Sequence, residues 1–344
     1  MTADPAGALS ATANPVLVEL WRGAVLECVH RGAAAIVGPD GEIVEEIGDA
    51  GRVILPRSAA KMIQALPLVE SGAADAARLG TERLALACAS HSGAPMHVER
   101  VTAWLADIGL GEEALRCGAH APLDPAARRA LRAAGDPNTQ IHNNCSGKHT
   151  GFLTLGRHLG AGPEYIALDH PVQRSVREAV AETCGEEPAG YAIDGCSAPN
   201  FAVSLAGLAR AMAGFARPAE RFSGLRRTAA ARLRDAMAAH PALIAGEERA
   251  NTRLMRAASV PLTLKSGAEG VFVAILPGPG FGIAVKIDDG SDAAAQAAIA
   301  ALLVRHGALD AAHPTVRGTL TQPLINARGT EHGQRRVATA LLTP

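Results

Sequence analysis

Ser58 and Lys61 stand three residues apart in Arg57-Ser58-Ala59-Ala60-Lys61, just after Pro56. A proline followed by a helically spaced apolar run predicts a helix start here. A spacing of three puts Ser58 and Lys61 on one helical face. A serine at that end lies near the positive pole of the helix dipole, where developing negative charge is favoured. A lysine one turn on takes the serine proton if its own pKa is lowered. The pair therefore points to nucleophilic acyl chemistry, weighed against a plain helix cap beside a solvated lysine.

The lysine count sharpens the question. Of 33 basic residues, only Lys61, Lys148, Lys265 and Lys286 are lysine. Arginine serves for surface charge, whereas a lysine amine can lose its proton and act as a base. Lys265-Ser266-Gly267 follows Ser58 by about 200 residues and precedes an apolar hairpin signal. S-x-x-K followed by K-[ST]-G is the pattern of serine β-lactamases and penicillin-binding proteins, where the glycine permits close approach. "CASHSG" adds Ser90, expected at a strand end, and His91, whose plainer role is structural.

"IHNNCSGKHTG", residues 141–151, sets Cys145 near Lys148. It is not a phosphate-binding loop, because positions 142 and 149 are both histidine. "DGCSAPN" supplies Asp194, Cys196 and Asn200 in another small polar stretch. Cys145 and Cys196 read as buried thiols, a disulfide, or soft ligands for a metal such as zinc. Spacing alone does not choose among these.

The elements that must position these groups follow from pattern. "VLVELWRGAVLECVH" and "AAAIVGPDGEIVEEIG" read as strands around the turn Gly38-Pro39-Asp40-Gly41. Helical spacing follows Pro56 as far as a break at Pro67. "PMHVERVTAWLADIGL", "HPVQRSVREAVAETCG", "FAVSLAGLARAMAGFA" and "GLRRTAAARLRDAMAAHPALI" read as helices. "GVFVAILPGPGFGIAVKIDD" reads as a hairpin, and "DAAAQAAIAALLVRHG" as a helix ended by Gly307. The pattern predicts an α+β fold, with an antiparallel sheet built from both termini and an inserted helical block. Residues 1–13 are expected to be loosely ordered and 14–344 to form a single catalytic unit.

Composition narrows the function classes. A formal charge of −1 over 344 residues offers no footprint for nucleic acid or an anionic membrane. The first twenty residues lack the basic and apolar regions of an export signal, and no apolar run is long enough to span a bilayer. A cytoplasmic protein with six reduced cysteines is expected.

With these residues in place, the chain resembles the class 3, rhizobial-type L-asparaginases of the asparaginase II family. The resemblance is carried by "PRSAAKMIQALP", "CASHSG", "IHNNCSGKHTGFL", "DGCSAPNF" and "KSGAEGVF", in family order. It implies a serine β-lactamase/glutaminase-like fold and hydrolysis of L-asparagine to L-aspartate and ammonia. It implies two catalytic pairs, Ser58 with Lys61 and Ser90 with Lys265. It also implies one zinc per chain, bound by Cys145, Lys148, Cys196 and water. Asp194 lies beside that site, Arg57 and His149 line the pocket, and the protein is a homodimer. Two positions depart from the family pattern. Ala94 stands where an acidic residue is expected, and Ser197 where glycine is expected.

The mechanism this implies is a serine acyl-enzyme, with Ser58 as nucleophile ahead of Ser90. The rival readings are a glutaminase or penicillin-recognising enzyme on the same scaffold, and a non-catalytic metal-binding protein.

Overall fold

The structure, a computed structural model, describes residues 13–342. All but the last of the thirteen residues expected to be loosely ordered lie outside the described ones. The strands are β1 (Val16–Arg22), β2 (Val25–Val37), β3 (Ile43–Ile47), β4 (Val53–Ile54), β5 (Gly190–Ile193), β6 (Pro199–Ser204), β7 (Thr263–Ser266), β8 (Val271–Leu276), β9 (Phe281–Ile287), β10 (Thr321–Ile325) and β11 (Glu331–Val337). The chain forms two compact units. The first combines residues up to Ala59 with Val203–Glu220 and the chain from Arg253 on; the second combines Ala60–Ala202 with Arg221–Thr252.

The first unit holds an antiparallel sheet in the order β10-β11-β1-β2-β9-β8-β7, with β3 also on β2. Both ends of the chain build it: Val18 faces Val337 across β1 and β11, and Ala35 faces Ala284 across β2 and β9. One parity of side chains, including Ile36, Phe272, Ile283 and Val285, shares a core with helix Asp292–Arg305. The other parity, including Ala35, Val273 and Ala284, is equally buried. Here helix Leu205–Ala216 packs on β2, β8 and β9, with Gly282 facing Ala209 and Ala213. Cover on both faces explains why β8 and β9 read as unbroken apolar runs instead of alternating ones.

The second unit is largely helical. Helices Thr81–Ala87, Pro95–Asp107 and Pro171–Cys184 pack around helix Ser146–His158, which is buried from Ser146 through Gly156. Strand β5 pairs with the start of β6, Tyr191 facing Phe201. The fold class is thus the expected α+β arrangement, with antiparallel strands from both termini and a helical block between them.

Three local expectations need correction. "RLALACASHSG" forms helix Thr81–Ala87, so Ser90 follows a helix and not a strand. "FAVSLAGLARAMAGFA" divides into the end of β6 and helix Leu205–Ala216, because Ser204 caps that helix through the Gly207 amide. The stretch around Cys145 is no polar loop; from Ser146 on it is a helix sealed inside the unit. The β10–β11 hairpin, largely polar and with only Val337 buried, had no apolar pattern to announce it. Among the described residues no helix is long and apolar enough to cross a membrane.

Candidate active site

In the first unit, Ser58 lies in a single 3-10 turn, Arg57–Ala60, closed by the Ala59 amide donating to the Pro56 carbonyl at 3.1 Å. Arg57 has φ +52°, a left-handed conformation that costs a non-glycine residue about 1 kcal/mol or more. Strain held in this way is common where a side chain must be aimed for chemistry. Lys265, the third residue of β7, is fully buried, and its amine donates to the Ser266 carbonyl at 2.8 Å. Gly267 joins the two features. A Cβ on it would stand 2.7 Å from the Pro56 carbonyl oxygen and 3.3 Å from the Ala59 nitrogen. Only the absence of a side chain lets the end of the Lys265 strand rest on the turn that carries Ser58.

In the second unit, Lys61 opens helix Lys61–Gln64 and is buried. Its Nζ donates to the Ala89 carbonyl at 2.5 Å and to Cys145 Sγ at 3.1 Å. Ala89 immediately precedes Ser90, whose own amide donates to the Ile244 carbonyl at 2.8 Å. The Lys61 amine is therefore fixed to the backbone of the second serine. His91 braces the same segment. The Gly93 amide donates to its Nδ1 at 3.2 Å, which leaves Nε2 to donate to Ser146 Oγ at 2.9 Å. Burial, with His97 and Lys61 nearby, holds His91 well below the usual histidine pKa and so neutral.

Cys145, Lys148, His149 and Cys196 form one buried polar cluster. Lys148 Nζ lies 3.1 Å from Cys196 Sγ and 5.3 Å from the Phe152 ring centre. A hydrogen bond with Cys145, together with Lys148 and His149, holds the Cys196 thiol well below its usual range despite burial. Cys145 is correspondingly raised and remains the thiol of the pair, with its Sγ 3.2 Å from Asn144 Oδ1. Burial pushes His149 down to about 4, although Cys196 opposes the shift. The Arg116 amide donates to Tyr165 Oη at 2.7 Å, and that hydroxyl pairs with His149 Nδ1 at 2.9 Å. Burial keeps Tyr165 protonated, so its hydroxyl donates and the neutral imidazole carries its proton on Nε2. Asp194 sits in the adjoining turn, closed by the Ser197 amide on the Asp194 carbonyl at 2.8 Å.

This arrangement overturns the zinc implied by the resemblance. Among the described residues no group of three or more His, Cys, Asp or Glu side chains could hold a metal ion. The lysine expected to bind as a neutral amine is a cation. Burial alone would lower Lys148, but Cys196, Cys145 and Asp194 outweigh it and hold the ammonium above the usual lysine range. Cys145, Lys148 and Cys196 thus form a thiol, ammonium and thiolate cluster, and the donor set does not fit zinc.

The structure therefore groups Ser58 with Lys265 in one unit, and Lys61 with Ser90, Cys145, Lys148, His149, Asp194 and Cys196 in the other. Sequence reasoning missed Tyr165, the Ala89 carbonyl and the Ser146 hydroxyl. Tyr165 is one of only two tyrosines, a rarity that could have drawn attention to it.

Comparison with known proteins adds the following. The family model described as L-asparaginase II matches residues 18–337. No curated protein matches. Among solved structures, the chain is similar to Mglu in its native form, with a TM-score of 0.49 and 16% identity over 91% of this chain and 73% of that one. It is also similar to a β-lactamase from Mycobacterium bovis, with a TM-score of 0.38 and 16% identity over 77% of this chain and 89% of that one.

Proposed function

The chain belongs to the L-asparaginase II family, and on that premise we propose that it hydrolyses L-asparagine to L-aspartate and ammonia through a serine acyl-enzyme. Amidohydrolase activity of the asparaginase type follows from the family; the catalytic route is the proposal. Ser58 attacks the side-chain amide carbon, and its proton passes to Lys61. The tetrahedral intermediate collapses with loss of ammonia, which takes up a proton as it leaves. Water then hydrolyses the β-aspartyl ester and regenerates Ser58. Ser90 and Lys265 relay protons in the second step, and Arg57, His149 and Asp194 shape the pocket.

The observation that carries this reading is the seat of Gly267 on the Pro56–Ala59 turn. It ties the K-S-G strand to the turn bearing Ser58, which is what an S-x-x-K and K-[ST]-G pair requires. The strained Arg57 beside Ser58 favours Ser58 over Ser90 as nucleophile. In this reading residues 14–344 act as one catalytic unit in a cytoplasmic homodimer.

The test is ammonia release from asparagine and glutamine by wild type, Ser58→Ala and Ser90→Ala, with mass spectrometry of acid-quenched enzyme. Asparagine should be the preferred substrate, and an adduct of one aspartyl unit should form on Ser58. An adduct on Ser90 reverses the serine roles, and turnover of glutamine alone refutes the substrate.

A further inference from the structure

Two sulfurs meet inside the second unit, and the mechanism above uses neither. Cys145 is the N-cap of helix Ser146–His158, and Cys196 stands in the turn between β5 and β6. Both are buried, and neither is in a disulfide. Lys148 follows Cys145 by three residues, on the same face of the first helical turn. Its Nζ is 3.1 Å from Cys196 Sγ, so the Cys196 sulfur is seated over the turn that begins at Cys145. A side-chain hydrogen bond joins the two cysteines directly. Lys61 Nζ closes the row, 3.1 Å from Cys145 Sγ.

This pair differs from the other cysteines of the chain. Cys28 is exposed on β2. Burial pushes Cys117 up to about 12, which keeps it an inert thiol. At Cys145 and Cys196, two ammonium groups flank adjacent sulfurs. Cationic neighbours make a cysteine nucleophilic, and a second thiol beside it resolves the oxidised product as a disulfide. The turn carrying Cys196 is held by the Asp194 amide on the Ala198 carbonyl at 2.9 Å. Gly195 in that turn is exposed, with nothing within 4 Å of a Cβ built on it. A small shift of the turn therefore meets no packed atoms on that side. Because both sulfurs are buried, the oxidant must be small, which selects hydrogen peroxide over a bulky disulfide.

We propose that Cys145 and Cys196 are a redox pair, which hydrogen peroxide converts to a reversible disulfide that switches off the Lys61 end of the site. The Cys196 thiolate attacks one peroxide oxygen and the O–O bond breaks. Hydroxide leaves, takes a proton from solvent and becomes water, while Cys196 becomes a sulfenic acid. The Cys145 sulfur then attacks the Cys196 sulfur and the S–O bond breaks. The departing hydroxide takes the Cys145 thiol proton and leaves as a second water. The two sulfurs lose two electrons in all, and peroxide is reduced to two waters. Cys145 Sγ, drawn into the new bond, no longer holds the Lys61 amine, whose other contact is the Ala89 carbonyl. Lys148 loses the thiolate beside it. The loss of activity rests on the amidohydrolase reading; the disulfide itself does not.

The experiment uses Cys28→Ser, which removes the exposed thiol and should keep wild-type activity. The protein is treated with hydrogen peroxide, alkylated in denaturant and digested without reductant. Mass spectrometry should find the Cys145 and Cys196 peptides joined, and dithiothreitol should separate them. Ammonia release from asparagine should fall about tenfold or more and recover with the reductant. Adding Cys145→Ser, with folding checked by circular dichroism, should abolish the linked peptide and leave Cys196 open to dimedone, which traps sulfenic acid. Unlinked peptides after oxidation, or Cys196 joined to Cys117, overturn the pair. A linked pair with unchanged ammonia release overturns the switch. If untreated enzyme releases no ammonia, the amidohydrolase reading fails and the linked peptide alone decides. Its presence then upholds the redox pair, and its absence refutes it.

Discussion

Lys61 Nζ lies 2.5 Å from the carbonyl oxygen of Ala89, the residue before Ser90. The amine that sequence spacing assigns to Ser58 is thus held in place by the backbone of the other serine, with Cys145 Sγ as its second contact at 3.1 Å. A base fixed in this way is poised to exchange protons without first ordering a flexible side chain. Lys61→Met should lower kcat about 10²- to 10⁴-fold. Lys61→Arg should not restore it, because a guanidinium does not give up its proton. Steady-state kinetics on folded protein checks both, and activity rescued by arginine would exclude a proton-transfer role.

His149 predicts acid sensitivity. Its folded pKa is lowered to about 4 from an ordinary 6.5, chiefly by burial. A lowered pKa means that the unfolded chain binds the proton more readily. The stability this histidine contributes is therefore complete above pH 6.5 and is lost as pH falls toward about 4. The loss from this residue is about 3 kcal/mol across that window. Urea midpoints from pH 7 to 4 should fall more steeply for wild type than for His149→Gln. Parallel curves would show that the imidazole titrates normally.

Gly267→Ala should damage the site through sterics alone. The added methyl meets the Pro56 carbonyl oxygen at 2.7 Å, and backbone on both sides leaves no flexible atom to yield. A cost of about 1–3 kcal/mol in stability is expected, together with loss of kcat as the Ser58 turn is displaced. Gly278→Ala, in open space in the neighbouring hairpin turn, is the control and should change little.

The two departures from the family pattern should both be improvable. Ser197 has φ +68°, where glycine carries no steric penalty, so Ser197→Gly should gain about 1 kcal/mol. Ala94 is the N-cap of helix Pro95–Asp107 and offers its free amides no side-chain acceptor. Ala94→Asp supplies one and should add about 1 kcal/mol. Denaturant midpoints of the two single variants check this; an unchanged or lower midpoint in either would refute the corresponding gain.

Much of the fold could be read from residue pattern. The turn Gly38-Pro39-Asp40-Gly41, the hairpin at Pro277–Gly280 and the helix ended by Gly307 follow from local chemistry, because a turn or cap is decided by a few adjacent residues. The helix from Ser146 was hidden because its first turn is polar. Its stability comes from being packed on every side, which no local signal records. The β10–β11 hairpin was hidden for the opposite reason: its mostly polar, half-buried or exposed residues carry no apolar alternation.

The sequence by itself determined which groups are available for chemistry: two serines, the scarce lysines and two cysteines in small-residue surroundings, all on motifs with a family order. It could not determine what those groups touch. Whether Lys148 is a neutral ligand or a cation depends on the charges packed around it. Only the tertiary structure brought Cys196 and Asp194 close enough to help hold its proton and so remove it from a metal's donor set. The reason is physical: a pKa depends on burial and on neighbouring charges, and both are set by contacts between residues far apart in the chain.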